Sequence, residues 1–270
     1  MVLQQTYLAA LLLMILTLIC WGSWVNTLKL AGNWRFELFY WDFILGAVVA
    51  ATVAALTFGS LGFDGFLFSD DLMREGRRNI AYGMGAGVIF NLGNKMPPAA
   101  VSLAGMSVAL PVGLGVALIV AAIWSHAGNP LSNPTMLLVG LAVVFASGIF
   151  FSTFIFNLFF MNLTVKGEPV EILDYLRASW KRHALGILGG MMWAAGVIAS
   201  FVVAAAPEAR LGPAMSYGLG QGAAVVGALW GLLAWKELRD TELPIKILMG
   251  AMLILFAGGV VLLSAARLYR

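Results

Sequence analysis

Several polar side chains in this sequence stand inside long apolar runs, and these residues are best placed to do chemistry. Asp42 is the acidic residue that lies clearly inside such a run. Moving a carboxylate into apolar surroundings is costly, so an acidic residue there indicates function by default. Burial would favour its protonated form, and Asp42 is therefore predicted to bind and release a proton. The alternative is a structural ion pair with Lys29 or Lys95.

Amide, hydroxyl and aromatic side chains form a second group within the same runs. Amides and hydroxyls can bind ring NH and C=O groups or sugar hydroxyls, and Trp and Tyr offer flat stacking faces. Asn and Ser also form hydrogen bonds between helices, so each residue alone is weak evidence for solute binding. The set as a whole is predicted to line one cavity. The predicted solute-binding residues are Trp24, Asn26, Tyr40, Asn91, Asn94, Trp193, Ser216, Tyr217 and Gln221.

Motifs for catalysis or metal binding are missing from the sequence. His126 and His183 stand at the ends of different apolar runs, with no HExxH motif, no Ser-His-Asp order and no P-loop. Cys20 is the one cysteine, which excludes a dithiol redox pair or a cysteine-ligated metal site. We therefore predict no catalytic residues, no metal, no cofactor and no enzymatic activity.

The elements that position these residues follow from composition. Of the 270 residues, 61% are hydrophobic and 11% are charged, whereas a soluble domain carries about 25% charged residues. The apolar runs approach the roughly 20 residues that cross a bilayer as a helix, and they are continuous rather than alternating, which favours helices over a barrel. The predicted fold is an all-α, polytopic transmembrane helical bundle.

Polar segments divide the chain into predicted spans. The first run counts as a span rather than a signal peptide, because no Lys or Arg precedes it and no small-residue cleavage site follows. Pro97 and Pro98 suit the first turn of a helix, and Ser69–Arg78 is predicted as a short interfacial helix. The eight predicted spans are residues 7–29, 36–58, 79–96, 98–125, 135–161, 184–206, 212–235 and 244–266.

Basic residues predict how the bundle is oriented. With these spans, ten Lys and Arg residues would lie on one face and six on the other. The positive-inside rule makes the richer face cytoplasmic and puts both termini outside the cytoplasm. The basic residues are scattered rather than clustered with aromatics, so nucleic acid is not an expected partner. The expected location is the plasma (inner) membrane, as a multi-pass protein.

Two segments of the chain resemble each other. Residues 77–94 and 181–197 both begin with a basic pair and continue as a Gly-rich run, and a helix with a Met-Ser pair follows each. An odd number of spans separates them, which predicts an inverted repeat like those of secondary transporters. The predicted domains are residues 1–161 and 184–270, joined by a polar connection over 162–183.

The same repeat places possible helix breaks at mid-membrane. One copy has Pro111 followed by Gly113 and Gly115, and the other has Gly218, Gly220 and Gly222 around Gln221. Breaks at corresponding places in two halves predict a solute site. Alternatively, these glycines only allow close helix packing.

Blocks across most of the chain resemble a known family. They are WGSWVNTLKL, YWDFILGAVVAATVAALTFG, AGVIFNLGNKMPPAAVSLAGMSV, HALGILGGMMWAAGV and SYGLGQGAAVVGALWGLLAWKE. The chain is similar in them to the ureide permease branch of the drug/metabolite transporter superfamily, beside the glucose/ribose porters. The resemblance implies an inverted repeat around a central cavity and proton-driven transport; plant members move allantoin and nucleobases such as uracil. The resemblance also implies ten spans, whereas eight are counted here. In the ten-span pattern, residues 140–161 resemble the start of the fifth span running directly into the end of the seventh.

Together these features predict a secondary active transporter, coupled to protons, for a small neutral polar solute such as a ureide, nucleobase or sugar. The predicted partners are that solute, protons and the lipid bilayer, and a homodimer stays open. Two other functions remain: export of drugs or amino acids, and a membrane scaffold that transports nothing.

Overall fold

A computed structural model describes residues 7–60, 68–127, 161–163, 167–204, 220 and 222–265. Nearly all of the described chain is helical, and no strand occurs within these ranges, which confirms the predicted all-α fold. The helices are α1 (Tyr7–Ser23), α2 (Val25–Leu30), α3 (Phe36–Leu56), α4 (Phe68–Arg74), α5 (Arg77–Ala104), α6 (Met106–Ala127), α7 (Ile172–Leu176), α8 (Trp180–Ala204), α9 (Ala223–Leu229) and α10 (Leu243–Ala265), with a π-helical turn at Trp230–Ala234.

Three helical segments are long and apolar enough to cross a bilayer. They are Leu8–Leu30, Phe36–Leu56 and Trp180–Val203, of 23, 21 and 24 residues. At 1.5 Å per residue these helices are about 32 to 36 Å long, enough to cross a hydrocarbon layer of about 30 Å. Shorter apolar helices occupy Ala223–Ala234 and Leu243–Phe256. The predicted span at 135–161 lies almost entirely outside the described residues.

The predicted boundary at Pro97 and Pro98 is wrong. Helix α5 runs through both prolines to Ala104, and the chain turns at Gly105 with φ of 76°, a left-handed conformation that glycine adopts readily. Each proline removes one helical hydrogen bond, yet the surrounding helix continues. Helix α6 is likewise continuous through Pro111, so the break predicted there is also wrong.

The predicted interfacial helix is present but shorter than expected, and part of the predicted second repeat lies outside the described residues. The interfacial helix expected at Ser69–Arg78 is α4, which ends earlier, at Arg74, before α5 begins at Arg77. In the second copy, Gly218 and Gln221 lie outside the described residues, and α9 begins directly after Gly222.

Helix α8 forms the centre of the described bundle, packed against α3 and α1. Glycines allow the α3–α8 contact: a Cβ at Gly190 would collide with the Phe43 carbonyl oxygen, and a Cβ at Gly46 would collide with the carbonyl of Ile187. Close backbone approach through small residues is how helices associate in lipid, where the hydrophobic effect adds little. This contact brings the start of α8 against the first turns of α3.

Candidate functional site

Asp42 lies at the α3–α8 contact with both carboxylate oxygens occupied. The Tyr175 hydroxyl, from α7, donates a hydrogen bond to Oδ1 at 2.6 Å. His183 Nδ1, from the first turn of α8, lies 2.8 Å from Oδ2. The side chain of Asp42 is 2% exposed. The structure pairs Asp42 with neither Lys29 nor Lys95, so the ion pair predicted from sequence is wrong.

Aromatic rings enclose this group. The Trp34 ring stacks on Tyr175 with centroids 6.4 Å apart, and it meets His183 edge-on at 5.3 Å. Burial and the hydrogen bond to Asp42 raise the pKa of the Tyr175 phenol above its usual value. Tyr175 therefore keeps its proton and acts as a donor towards the carboxylate. Sequence reasoning missed Tyr175 and Trp34. Residues 167–179, here called the connecting segment, fold back against α3 and bring Tyr175 to Asp42 and Trp34.

Lys95 is a second buried charged group that the sequence placed wrongly, at a helix end. Its side chain is fully buried, and the ammonium lies 5.0 Å from the centre of the Tyr40 ring. Glu37 is also fully buried; it interacts electrostatically with Lys95 and accepts hydrogen bonds of 2.8 and 3.2 Å from Arg35. Arg35 donates in turn to the Glu168 carbonyl at 2.8 Å, which fixes the connecting segment beside α3.

Several predicted solute-binding residues come together around Phe43. The rings of Trp24, Tyr40 and Trp193 lie 4.6, 5.3 and 5.7 Å from the Phe43 ring, centre to centre. The Tyr40 hydroxyl donates to Asn91 Oδ1 at 2.7 Å. This aromatic cluster (Trp24, Tyr40, Phe43, Trp193) thus carries stacking faces and polar groups in one region.

Asn94 lies one turn after Asn91 on α5. Its amide nitrogen is buried and makes no hydrogen bond of ordinary geometry to a described residue, although the side chain interacts with the Tyr40 hydroxyl. A buried amide donor that is poorly satisfied is costly. A hydroxyl or carbonyl oxygen of a solute would satisfy it.

Asn26 connects helices rather than facing this cluster. Its amide nitrogen donates to the Ser23 carbonyl at 2.9 Å, and its oxygen accepts from Trp235 Nε1 at 2.6 Å. These bonds join α2 to the end of the π-helical turn. Solute binding by Asn26 stays a prediction, and the predicted residues Ser216, Tyr217 and Gln221 lie outside the described residues.

Glu237 organises the neighbouring helix ends. Its carboxylate pairs with Lys29 and accepts hydrogen bonds of 2.8 Å from the backbone N–H groups of Met106 and Ser107. Burial alone would raise the pKa of Glu237, but the bonds from Lys29 and the start of α6 outweigh it and hold the pKa below its usual value. A carboxylate at a helix N-terminus is stabilised by the helix dipole. Glu237 is thus a cap that acts across helices.

A cavity of about 350 Å³ opens beside the connecting segment. The predicted solute-binding residues do not line it; the lining residues are Met161, Asn162, Val170, Glu171, Ile172 and Leu173. Within the described ranges, no group of three or more His, Cys, Asp or Glu side chains is arranged to hold a metal ion.

Comparison with known protein families gives a match to the C-terminal part of the chain. Residues 170–264 match the model of a family described as sugar transport protein. No curated protein and no solved structure matches the chain. The matched range begins in the connecting segment and contains His183, Trp193 and Glu237. The match supports a transporter of sugar or a related solute, while the drug/metabolite transporter superfamily and its ureide permease branch stay predictions.

Proposed function

We propose that this chain is a secondary active transporter that moves a small neutral polar solute, with a sugar as the first substrate class, and that it is coupled to protons through Asp42. The observation that carries the proposal is the match of residues 170–264 to a sugar transport family. The match coincides with the part of the chain that supplies partners to Asp42. Apolar helices long enough to cross a bilayer fit a membrane carrier.

The aromatic cluster supports a neutral polar solute. Sugar rings present a CH face to aromatic side chains and hydroxyl groups to amides. Tyr40 and Trp193 carry such rings, and Asn91 and Asn94 carry such amides. Tyr40, Trp193 and Asn91 are buried against their neighbours here, so on this proposal a solute reaches them only when the cluster opens during transport. The NH and C=O groups of a ureide or nucleobase would use the same side chains, so those compounds belong in the same assay.

Buried charge supports proton coupling. Asp42 lies within a span, nearly excluded from solvent, with hydrogen bonds to both oxygens. A carboxylate in that position carries a large energetic cost that a purely structural role rarely repays. Reversible protonation at this site would change the charge of the site at each transport cycle.

Counterflow in proteoliposomes tests carrier activity. Vesicles containing the purified protein are loaded with unlabelled D-glucose, D-ribose, allantoin or uracil and diluted into the labelled compound. The proposal predicts transient accumulation of at least one sugar. The same compound should raise the melting temperature of the protein, because a ligand that binds the folded state stabilises it.

Two variants locate the binding site. Asn91→Ala should weaken the ligand-induced thermal shift, since it removes the amide that is hydrogen-bonded to Tyr40 of the aromatic cluster. Trp180→Ala is the matched surface control, because that side chain is 77% exposed at the start of α8. Absence of counterflow and of thermal shift with all four compounds would contradict the proposal and favour a scaffold.

A further inference from the structure

The proton-binding chemistry at Asp42 involves a second titratable side chain. His183 contacts Asp42 through Nδ1, at 2.8 Å from Oδ2. A neutral imidazole that donates from Nδ1 carries its acceptor lone pair on Nε2. The His183 side chain is 17% exposed, whereas that of Asp42 is 2% exposed. The imidazole is therefore the more accessible of the two groups.

We propose that Asp42 and His183 bind the coupling proton together, as one site beside the connecting segment. The inference rests on the proposed function, because it names the site at which a transported proton is held. A proton from the aqueous phase adds to His183 Nε2 and forms one N–H bond. The imidazolium stays hydrogen-bonded to the Asp42 carboxylate, so the net charge of the pair passes from −1 to 0. Release of the same proton reverses the step.

The change in net charge from −1 to 0 is favoured by the apolar surroundings of Asp42 and His183. In apolar surroundings a hydrogen-bonded neutral pair is far less costly than a lone charge. Two titratable groups in such close contact take up protons as a unit rather than separately. The proton thus neutralises the site without having to reside on the carboxylate.

The other titratable and charged side chains near Asp42 and His183 come from α3, α5, α7 and α8. Tyr175, from α7, donates to the other carboxylate oxygen and stays protonated. Lys181 and Arg182 share the first turn of α8 with His183 and add positive charge at this end. On the α3 and α5 side, the ammonium of Lys95 and the guanidinium of Arg35 both interact with Glu37. His183 is therefore the titratable base in contact with Asp42 among the described residues.

The position of the pair gives a short route for the proton. Asp42 lies six residues after Phe36, the start of α3, which is about 9 Å along the helix. His183 lies three residues after Trp180, the start of α8. Both helix starts lie on the side of the bundle where the connecting segment packs, so the proton binds from that side.

Nitrogen NMR of the histidine rings tests the pair without any solute. The full chain, labelled with ¹⁵N-histidine in lipid nanodiscs, is titrated between about pH 5 and 9, where imidazole changes charge. The chain has two histidines, so His126→Gln assigns the signal of His183. Asp42→Asn should shift the midpoint pH at which the His183 ring signals change, because it removes the carboxylate that pairs with the imidazolium. If the Asp42→Asn variant does not fold, Asp42→Ser is used in its place.

The control removes a carboxylate elsewhere. Asp240 is exposed, and Asp240→Asn should leave the midpoint of His183 within a few tenths of a unit. An equally small shift in Asp42→Asn would overturn the paired site, whatever the transport assays show. A shifted midpoint in a protein that gives no counterflow would support the pair and contradict the proposed transport.

Discussion

At the residue scale, Asp42 could be selected from the sequence but its partners could not. An acidic side chain inside an apolar run is conspicuous in any hydropathy pattern. Its partners Tyr175 and His183 follow 133 and 141 residues later, and only helix packing brings them close. The predicted pairing with Lys29 or Lys95 assumed that charges on one face of the bundle meet. Instead, Lys29 pairs with Glu237, and Lys95 interacts with Glu37.

Glu237 provides a residue-scale prediction with a defined pH dependence. Glu237→Gln removes the charge that pairs with Lys29 and weakens the cap on α6. The free energy of unfolding should fall by roughly 1–3 kcal/mol at pH 7, as expected for partly buried hydrogen bonds to a charged group. Thermal unfolding in detergent, followed by circular dichroism, measures this loss.

The pH dependence follows from the lowered pKa of Glu237. A carboxyl group whose pKa is lower in the folded than in the unfolded state stabilises the protein above its ordinary pKa, near 4.5. That stabilisation is lost as the pH falls through the folded-state value. The difference between wild type and Glu237→Gln should therefore be full at pH 7 and shrink below about pH 4.5. Glu168→Gln, at an exposed position that does not directly precede a helix, should show little difference at either pH. An E237Q effect independent of pH would contradict the charged cap.

At the scale of elements, three of the eight predicted spans correspond to helical segments that are long and apolar enough to cross a bilayer. The predicted spans at 7–29, 36–58 and 184–206 match helical segments within a few residues. The error at Pro97 and Pro98 has a physical cause: a proline pair usually ends or starts a helix. Here the helix continues to Gly105, where a positive φ turns the chain. Because the predicted helix ended at residue 96, Lys95 was placed at a helix end, and its burial was not predicted.

Gly190 gives an element-scale prediction about the α3–α8 contact. A Cβ at this position would collide with the Phe43 carbonyl oxygen on α3. Gly190→Ala should therefore lower the free energy of unfolding by roughly 1–3 kcal/mol, the usual cost of overpacking. It should also weaken the effect of Asp42→Asn on His183, since the two helices would separate. Thermal unfolding and the histidine titration measure these effects.

Gly250→Ala is the matched control, also within a helix. A Cβ there meets nothing within 4 Å, and alanine favours a helix by up to about 1 kcal/mol over glycine. The control should unfold at the same or a higher temperature than wild type. If Gly190→Ala behaves like Gly250→Ala, the close contact between α3 and α8 does not exist.

At the scale of the whole molecule, the all-α membrane bundle followed from composition alone. The predicted inverted repeat and the domain boundaries at 161 and 184 stay predictions, as does the mid-membrane site at Ser216 and Gln221. Helix α8 from the predicted second copy packs between α3 and α1 of the first. The sequence grouped Trp24, Tyr40, Asn91 and Trp193 in one predicted set. Their packing around Phe43 could not be predicted, because sequence periodicity does not encode which helices are neighbours.

Solute accumulation driven by a pH gradient tests the central claim most directly. Proteoliposomes with a sugar that gives counterflow are placed in a proton gradient, and uptake is followed with and without a protonophore. Wild type should concentrate the sugar inside only while the gradient lasts, and Asp42→Asn should equilibrate the sugar without concentrating it, with counterflow intact. Equal accumulation by wild type and Asp42→Asn, or accumulation that survives the protonophore, would contradict proton-coupled transport through Asp42.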